Sequence, residues 1–229
     1  MQFSIVIPCF NESKNIKKLV SEIDQHLKNY KYEIILIDDL STDDSISIIK
    51  SIRMNNLVVL LNKKNLGQSH SIFNGVKIAK SNTIVTIDGD GQNNPKDISK
   101  LFNLYISNDD VFLVGGLRKN RKDNYVKLVS SIFANYIRKL ILKDNCDDTG
   151  CSLKVFDRSI FLMLPLFSGL HRFLPALFLG LKKNTMFVPV AHRKREFGKS
   201  KYGTFKRAIN GIKDLFFVYR LIRKMKKNV

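Results

Sequence analysis

Residues 83–92 read Thr83-Ile84-Val85-Thr86-Ile87-Asp88-Gly89-Asp90-Gly91-Gln92. Five β-branched residues run without a charged break into two acids separated by a glycine. A continuous run of this kind is a strand covered on both faces. The acids then fall on the turn that leaves its carboxyl end. The same pattern recurs upstream. Phe3–Pro8 is apolar and is followed by Cys9-Phe10-Asn11-Glu12, and Tyr32–Ile37 ends in Asp38-Asp39. Leu57–Leu61 and Val111–Val114 supply two more strands. Between them lie segments of helical period: Ser13–Asn29 with Ile16, Leu19, Val20, Ile23 and Leu27, then Gln68–Lys80. Ser41 and Asp44 have capping-box spacing before another helix, and Pro95 is placed to open a further one at its first position. Strands alternating with helices predict an α/β fold, a mostly parallel sheet with helices on both faces.

The second half is less regular. Tyr125–Leu142 reads as a basic amphipathic helix, Leu153–Phe156 and Met186–Val190 as short strands, and Thr204–Lys227 as a final helix. Between Arg158 and Lys182, 23 residues are rich in Leu and Phe, but Pro165, Gly169, His171, Arg172 and Pro175 interrupt them. A central Arg and two prolines disfavour a membrane span, so two short helices split at Gly169-Leu170-His171 are expected. Cys9, Cys146 and Cys151 form no C-x-x-C pair, which argues against structural zinc and fits a reducing compartment. The strand pattern at the N-terminus leaves no place for a signal peptide.

The 229 residues carry 39 Lys+Arg against 20 Asp+Glu, a net charge of +19. The excess is not uniform. Residues 1–115 hold 13 basic and 13 acidic side chains, residues 116–143 hold 8 and 1, and residues 193–229 hold 13 and 2. An anionic partner is implied: nucleic acid, membrane surface or a phosphorylated substrate. The neutral first half and its acidic strand ends count against nucleic acid.

In open parallel sheets ligands bind beyond the carboxyl ends of the strands, so the three polar strand ends should share one rim. Two carboxylates flanking a small residue, with the Gln92 carbonyl nearby, can direct oxygen ligands at one hard cation such as Mg²⁺ or Mn²⁺. A solvated turn carries the same letters. Asp38-Asp39 suits either a helix N-terminus or hydrogen bonding to a base or ribose. Arg118, Lys119, Arg121 and Lys122 follow the fifth strand directly, and Arg193–Lys201 is a second basic run. Either could clamp phosphate or be a solvated loop. His26 and His70 are expected on solvated helix faces. The last helix carries Ala208, Ile212, Leu215, Phe216, Tyr219, Ile222 and Met225 on one stripe among many Lys and Arg. Phe217 and Val218 widen that stripe. A packed surface helix and a helix lying in an anionic membrane interface both fit.

Taken together, these motifs resemble family-two glycosyltransferases, and within them the polyprenyl-phosphate (dolichol-phosphate mannose synthase-like) transferases. The stretches that carry the resemblance are Ile5–Glu12, Glu33–Asp43, Asn65–Gln68, Asp88–Pro95, Gly115–Arg118, Asp148–Phe156 and Arg193–Gly203. The resemblance implies a GT-A fold with a Rossmann-like nucleotide-sugar half (1–115) and an acceptor half (116–203), followed by a basic amphipathic helix (204–229). It implies a nucleotide-diphosphate sugar donor of the GDP-mannose or UDP-glucose type, a divalent cation, inversion at the anomeric carbon and a polyprenyl-phosphate acceptor. Carried over by position, Pro8, Phe10, Glu12, Asp39 and Asp88 would line the nucleotide sugar. Asp88, Asp90 and Gln92 would hold Mg²⁺ or Mn²⁺. Asp90, Arg118, Arg193, Ser200 and Lys201 would be the catalytic set, its cations binding donor or acceptor phosphate. Two positions depart from the family pattern: Leu40 stands where Gly is usual, and Gly91 where Leu is usual. A second acceptor-phosphate Arg has no clear match, with Arg121 and Lys127 as candidates.

An anionic lipid phosphate needs no strong base to attack the sugar carbon. A hydroxyl acceptor, as in surface-polysaccharide or glycolipid synthesis, would need a carboxylate, for which Asp147, Asp148 and Asp157 are at hand. The expected setting is the cytoplasmic face of a membrane, held peripherally. Oligomeric state is left open between monomer and homo-oligomer.

Overall fold

The structure is a computed structural model that describes residues 1–118, 135–197 and 204–227; of 204–210 it gives only the helical backbone. The strands are β1 (Phe3–Cys9), β2 (Tyr32–Asp38), β3 (Leu57–Leu61), β4 (Thr83–Thr86), β5 (Val111–Arg118), β6 (Lys154–Asp157) and β7 (Asn184–Val190). The helices are α1 (Ser13–His26), α2 (Ser45–Ser51), α3 (Gln68–Ile78), α4 (Asp97–Ile106), α5 (helical residues 135–142), α6 (Arg158–Leu162), α7 (Leu170–Gly180) and α8 (Thr204–Lys227).

The strands form one sheet in the order β3-β2-β1-β4-β6-β5-β7. All neighbours pair in parallel except β6, which runs antiparallel to both β4 and β5. The expected mostly parallel sheet is present, with one reversed strand. The division at 115/116 falls inside β5, so the two halves share the sheet.

Alternation along each strand sends side chains to two cores. Phe3, Ile5 and Ile7 of β1 pack with Ile16, Leu19 and Ile23 of α1 and Leu101 of α4. Val6, Ile35 and Ile37 face the other way, into Ile72 and Val76 of α3, Phe161 of α6, Phe178 of α7 and Val218 of α8. Each fully buried side chain of this size contributes about 1.5–3 kcal/mol against exposure.

Several local expectations are corrected. Ser41 does not cap α2; its Oγ accepts from Asn11 N–H (2.8 Å), and Asp43 Oδ1 instead takes the Ser45 N–H (2.9 Å). Pro95 lies in the turn before α4, where its carbonyl accepts from Ile98 N–H. The two short helices expected in the apolar stretch are present as α6 and α7, with Met163–Gly169 between them and Pro175 inside α7. Its central cation, Arg172, pairs with Asp214 of α8 at 3.2 Å. No described helix is long and apolar enough to cross a membrane. His26 is exposed as expected, but His70 is half-buried. Of the Tyr125–Leu142 expectation only residues 135–142 are described, and they are helical.

The two departures from the family pattern both fall at turns. Leu40 has φ +63°, a left-handed conformation that favours glycine, and Gly91 has φ +73°. An L-residue in that region costs about 1–2 kcal/mol, offset in part by the chain entropy glycine loses on folding, about 0.5–1 kcal/mol. Leu40 is 46% exposed, so little burial is lost with its side chain. Leu40→Gly is therefore expected to raise Tm by about 2 °C. A fall in Tm on a calorimetric scan would show that the leucine side chain holds the turn.

Candidate active site

The topology gathers one rim. The carboxyl ends of β1, β2, β4, β5 and β7 meet there, together with the amino end of reversed β6. The sheet order turns at β1, with β2 and β3 on one side and β4 on the other. That switch point opens the crevice where doubly wound sheets bind ligands. The two strand ends touch: a Cβ on Gly89 would lie 3.2 Å from the Pro8 carbonyl oxygen. Pro8 itself is half-buried at the end of β1, and Phe10 lies half-buried just beyond it.

Asp88 and Asp90 sit at this crevice. Asp88 Oδ1 accepts from Gln68 Nε2 at 2.7 Å, and its backbone N–H donates to Ser152 Oγ at 3.2 Å. Burial, and then the charge of Asp90, push the Asp88 carboxyl up to about 7; Ser152, Lys154 and Arg118 act against that rise. Asp90 is raised as well, by burial and by Glu12, while the Gln92 N–H at 3.1 Å and Arg195 act to lower it. Three acids thus press on one another in a partly desolvated cleft. Among the described residues no group of three His, Cys, Asp or Glu forms a closed metal cage. The donor set is oxygen alone, which suits Mg²⁺ or Mn²⁺ completed by phosphate and water, and a dication relieves the repulsion that raises both carboxyls. Gln92 is turned toward the β7 exit, with its Nε2 3.4 Å from His192 Nε2 and from the Arg193 carbonyl.

Cations flank the acids. Arg118, at the end of β5, forks onto Asp148 with Nε and Nη2 each at 2.7 Å from a carboxylate oxygen. Lys154 is buried on β6 and donates to the carbonyls of Thr149 and Cys151. Sequence reasoning missed it, because a lysine inside a short apolar strand gives no signal of where its ammonium ends. Sequence reasoning counts Arg195 only within the basic run Arg193–Lys201 and does not single it out. Its Nη2 lies 2.7 Å from Glu12 Oε1 and its Nη1 4.0 Å from Asp90 Oδ2. Arg193 goes elsewhere, to Glu22 on α1 (2.6 Å) and to Asn94 (2.9 Å). Glu196 pairs with Lys18, and the Lys14 ammonium lies over the Phe197 ring. The chain leaving β7 is therefore strapped along α1, with Arg195 aimed at the acid pair. Ser200 and Lys201 lie outside the described residues, as do Arg121 and Lys127.

Asp39 has a different surrounding from the one expected of a ligand contact. It is buried, and its oxygens accept from Asn62 Nδ2 (2.8 Å), Leu66 N–H (2.9 Å) and Gly67 N–H (2.7 Å). It holds the turn that starts α3.

Sheet order, an acid pair at the switch point and arginines around it define a GT-A-type α/β fold. The sequence profile described as Glycosyl transferase family 2 matches residues 4–163, and the chain belongs to that family. It is 33% identical over 229 residues to the dodecaprenyl-phosphate galacturonate synthase of Rhizobium johnstonii, covering 95% of this chain and 68% of that protein. It is 33% identical over 207 residues to the undecaprenyl-phosphate 4-deoxy-4-formamido-L-arabinose transferase of Aeromonas hydrophila, covering 87% of this chain and 62% of that one. The chain thus spans about two thirds of the length of these relatives. In fold it is similar to the crystal structure of glucosyl-3-phosphoglycerate synthase from Mycobacterium tuberculosis in complex with Mn²⁺, UDP and glucosyl-3-phosphoglycerate. The TM-score is 0.68 at 16% identity, over 97% of this chain and 77% of that one.

Proposed function

We propose that this chain transfers a sugar from a nucleoside-diphosphate sugar to a polyprenyl phosphate at a membrane surface, with inversion at the anomeric carbon. The observation that carries the reading is the Asp88/Asp90 pair at the switch point, with Arg118 and Arg195 beside it. Acids to hold a cation and arginines to hold phosphate are what a diphosphate leaving group and a phosphate nucleophile require. The named relatives act on polyprenyl phosphates, which supports the acceptor. A bound Mg²⁺ or Mn²⁺ would neutralise charge on the leaving diphosphate. Asp88 and Asp90 would hold it, and Arg195, rather than Arg193, would face the phosphates.

The carboxylates needed for a hydroxyl acceptor are otherwise engaged. Arg118 takes both oxygens of Asp148. Asp147 pairs with Lys139 at 2.5 Å. Asp157 lies at the far end of antiparallel β6, where its Oδ1 caps α6 by accepting from Ile160 N–H. A phosphate nucleophile needs none of them as a base, which favours the lipid-phosphate reading. The test is incubation with polyprenyl phosphate and a panel of labelled nucleotide sugars, UDP-galacturonate, UDP-glucose and GDP-mannose among them. Label entering the lipid phase with Mn²⁺ and not with EDTA is the expected result. Label entering only a hydroxyl-bearing glycan would overturn the acceptor.

The last helix supplies the membrane side of the proposal. Leu215, Val218 and Ile222 are buried against the body of the protein, so α8 is a packing element on one face. On its other side Ile212 is 57% exposed and Phe216 59%, with exposed Lys213, Arg220, Arg223 and Lys224 around them. This arrangement suits an anionic bilayer surface. Because the inner stripe is core, deleting the helix would damage the fold, and point changes are the cleaner probe. Ile212→Asp combined with Phe216→Asp is expected to lower binding to phosphatidylglycerol vesicles at least about tenfold, since each bulky side chain buried contributes about 1.5–3 kcal/mol. Circular dichroism should be unchanged. Undiminished co-sedimentation would remove α8 from the membrane contact.

A further inference from the structure

Asp88 is held by a device that the acid pair alone does not explain. Its Oδ1 receives the Gln68 side-chain amide at 2.7 Å. Gln68 is the first residue of α3 and follows Gly67, whose φ is +84°. The two backbone amides directly before it, on Leu66 and Gly67, both point into the Asp39 carboxylate. Asn65 Nδ2 donates to the Asp39 carbonyl (3.1 Å), and Asn62, which also holds Asp39, is itself braced by Asn74 Nδ2 (3.2 Å) and by Ser71 Oγ (3.1 Å). The base of the Gln68 side chain is therefore pinned by a buried polar cluster on the loops after β2 and β3. From that fixed base its amide reaches across to β4.

We infer that Gln68 is a positioning residue for Asp88, holding Oδ1 so that the carboxylate presents its other oxygen to a divalent cation. The inference rests on the proposed reading of Asp88 as a metal ligand. A carboxylate that already accepts a short hydrogen bond on one oxygen is disposed to bind a metal through a single oxygen. Mg²⁺ and Mn²⁺ take single oxygens in octahedral geometry at short distance. Ca²⁺ accepts two oxygens of one carboxylate and a larger, looser shell. Gln68 thereby biases the site toward the smaller ions. Asp39 acts one step further out, by fixing the turn from which Gln68 extends. Partners in this outer position commonly change metal affinity by 10–100-fold.

The experiment measures Mn²⁺ binding by electron paramagnetic resonance, with UDP present and no acceptor, so that no turnover is involved. Gln68→Met keeps the length of the side chain and removes the donor. Its expected effect is a 10–100-fold weaker Mn²⁺ affinity, with Ca²⁺ displacing Mn²⁺ at a lower ratio than in the parent protein. Gln68→Ala removes the amide by truncation at a half-exposed position and should show the same two changes. Metal-free Tm is measured alongside, and both variants should stay close to the parent. Mn²⁺ affinity within twofold of the parent in both variants, with the Ca²⁺ ratio unmoved, would overturn the inference. Asp90→Asn separates the two levels. If the parent binds Mn²⁺ and Asp90→Asn does not, a silent Gln68 sinks only the positioning role. If the parent binds no Mn²⁺, the metal reading fails and the inference with it.

Discussion

Asp90→Asn is expected to lower sugar transfer by at least about 10³-fold while making the metal-free protein more stable above neutral pH. The two effects have one cause. Asp88 is raised to about 7, first by burial and second by the charge of Asp90. An acid whose folded pKa exceeds its ordinary value binds its proton more tightly in the folded state. The contribution of Asp88 to stability is then greatest below pH 4, and it falls as pH rises toward 7, with the full cost present above that. For a shift from 3.8 to about 7 the cost is at most about 4 kcal/mol. Removing the Asp90 charge removes one of its two main causes. The metal-free parent should therefore lose several degrees of Tm between pH 5 and pH 8, and Mn²⁺ with UDP should restore them at pH 8. The variant should show a flatter pH profile and little response to Mn²⁺. Parent activity undiminished by EDTA, or a variant that still transfers sugar, would sink the role given to the acid pair.

The parts of this site that sequence reveals are those whose chemistry is local. Continuous apolar runs ending in acids identify β1, β2 and β4, and parallel packing then puts their ends on one rim. The reversal of β6 is not local. Lys154-Val155-Phe156-Asp157 offers the same side chains in either direction, and its orientation is set by hydrogen bonding to β4 and β5. That reversal brings Ser152 and Lys154 to the rim and sends Asp157 to the other end. Asp39 shows a second limit. A strand-end carboxylate facing a ligand and one accepting the amides of a following turn have the same letters. Only the path of residues 62–67 back over β2 distinguishes them. In α8, by contrast, the packing face is legible, and the outer face is the one proposed to meet the bilayer. Its stripe is too wide for one partner, and the structure divides it into an inner face of Leu215, Val218 and Ile222 and an outer one around Phe216.

The run Arg193-Lys194-Arg195 poses the sharpest case, because three adjacent cations offer no local means of choosing among them. The choice is made by α1, more than 150 residues away in sequence. Glu22, Lys18, Lys14 and Glu12 follow one another along that helix and the turn before it. They engage Arg193, Glu196, Phe197 and Arg195 respectively. Arg193 is spent anchoring the strap at Glu22, a half-exposed pair of the kind that contributes about 0.2–1 kcal/mol. Arg195 is left facing Glu12 and Asp90, where the proposed reaction would place a departing diphosphate. Arg195→Gln is thus expected to reduce kcat/KM by about 10²–10³-fold, the scale lost with one preorganised electrostatic group. Arg193→Gln should cost less than about tenfold, and Glu22→Gln should match it, since both break the same anchor. The double variant Arg193→Gln/Glu22→Gln should then be no worse than either single change. Steady-state kinetics on the four proteins, with Tm as a check on folding, decides the matter. A larger loss for Arg193→Gln than for Arg195→Gln would return the phosphate contact to Arg193 and would require the strap to leave α1 when donor binds.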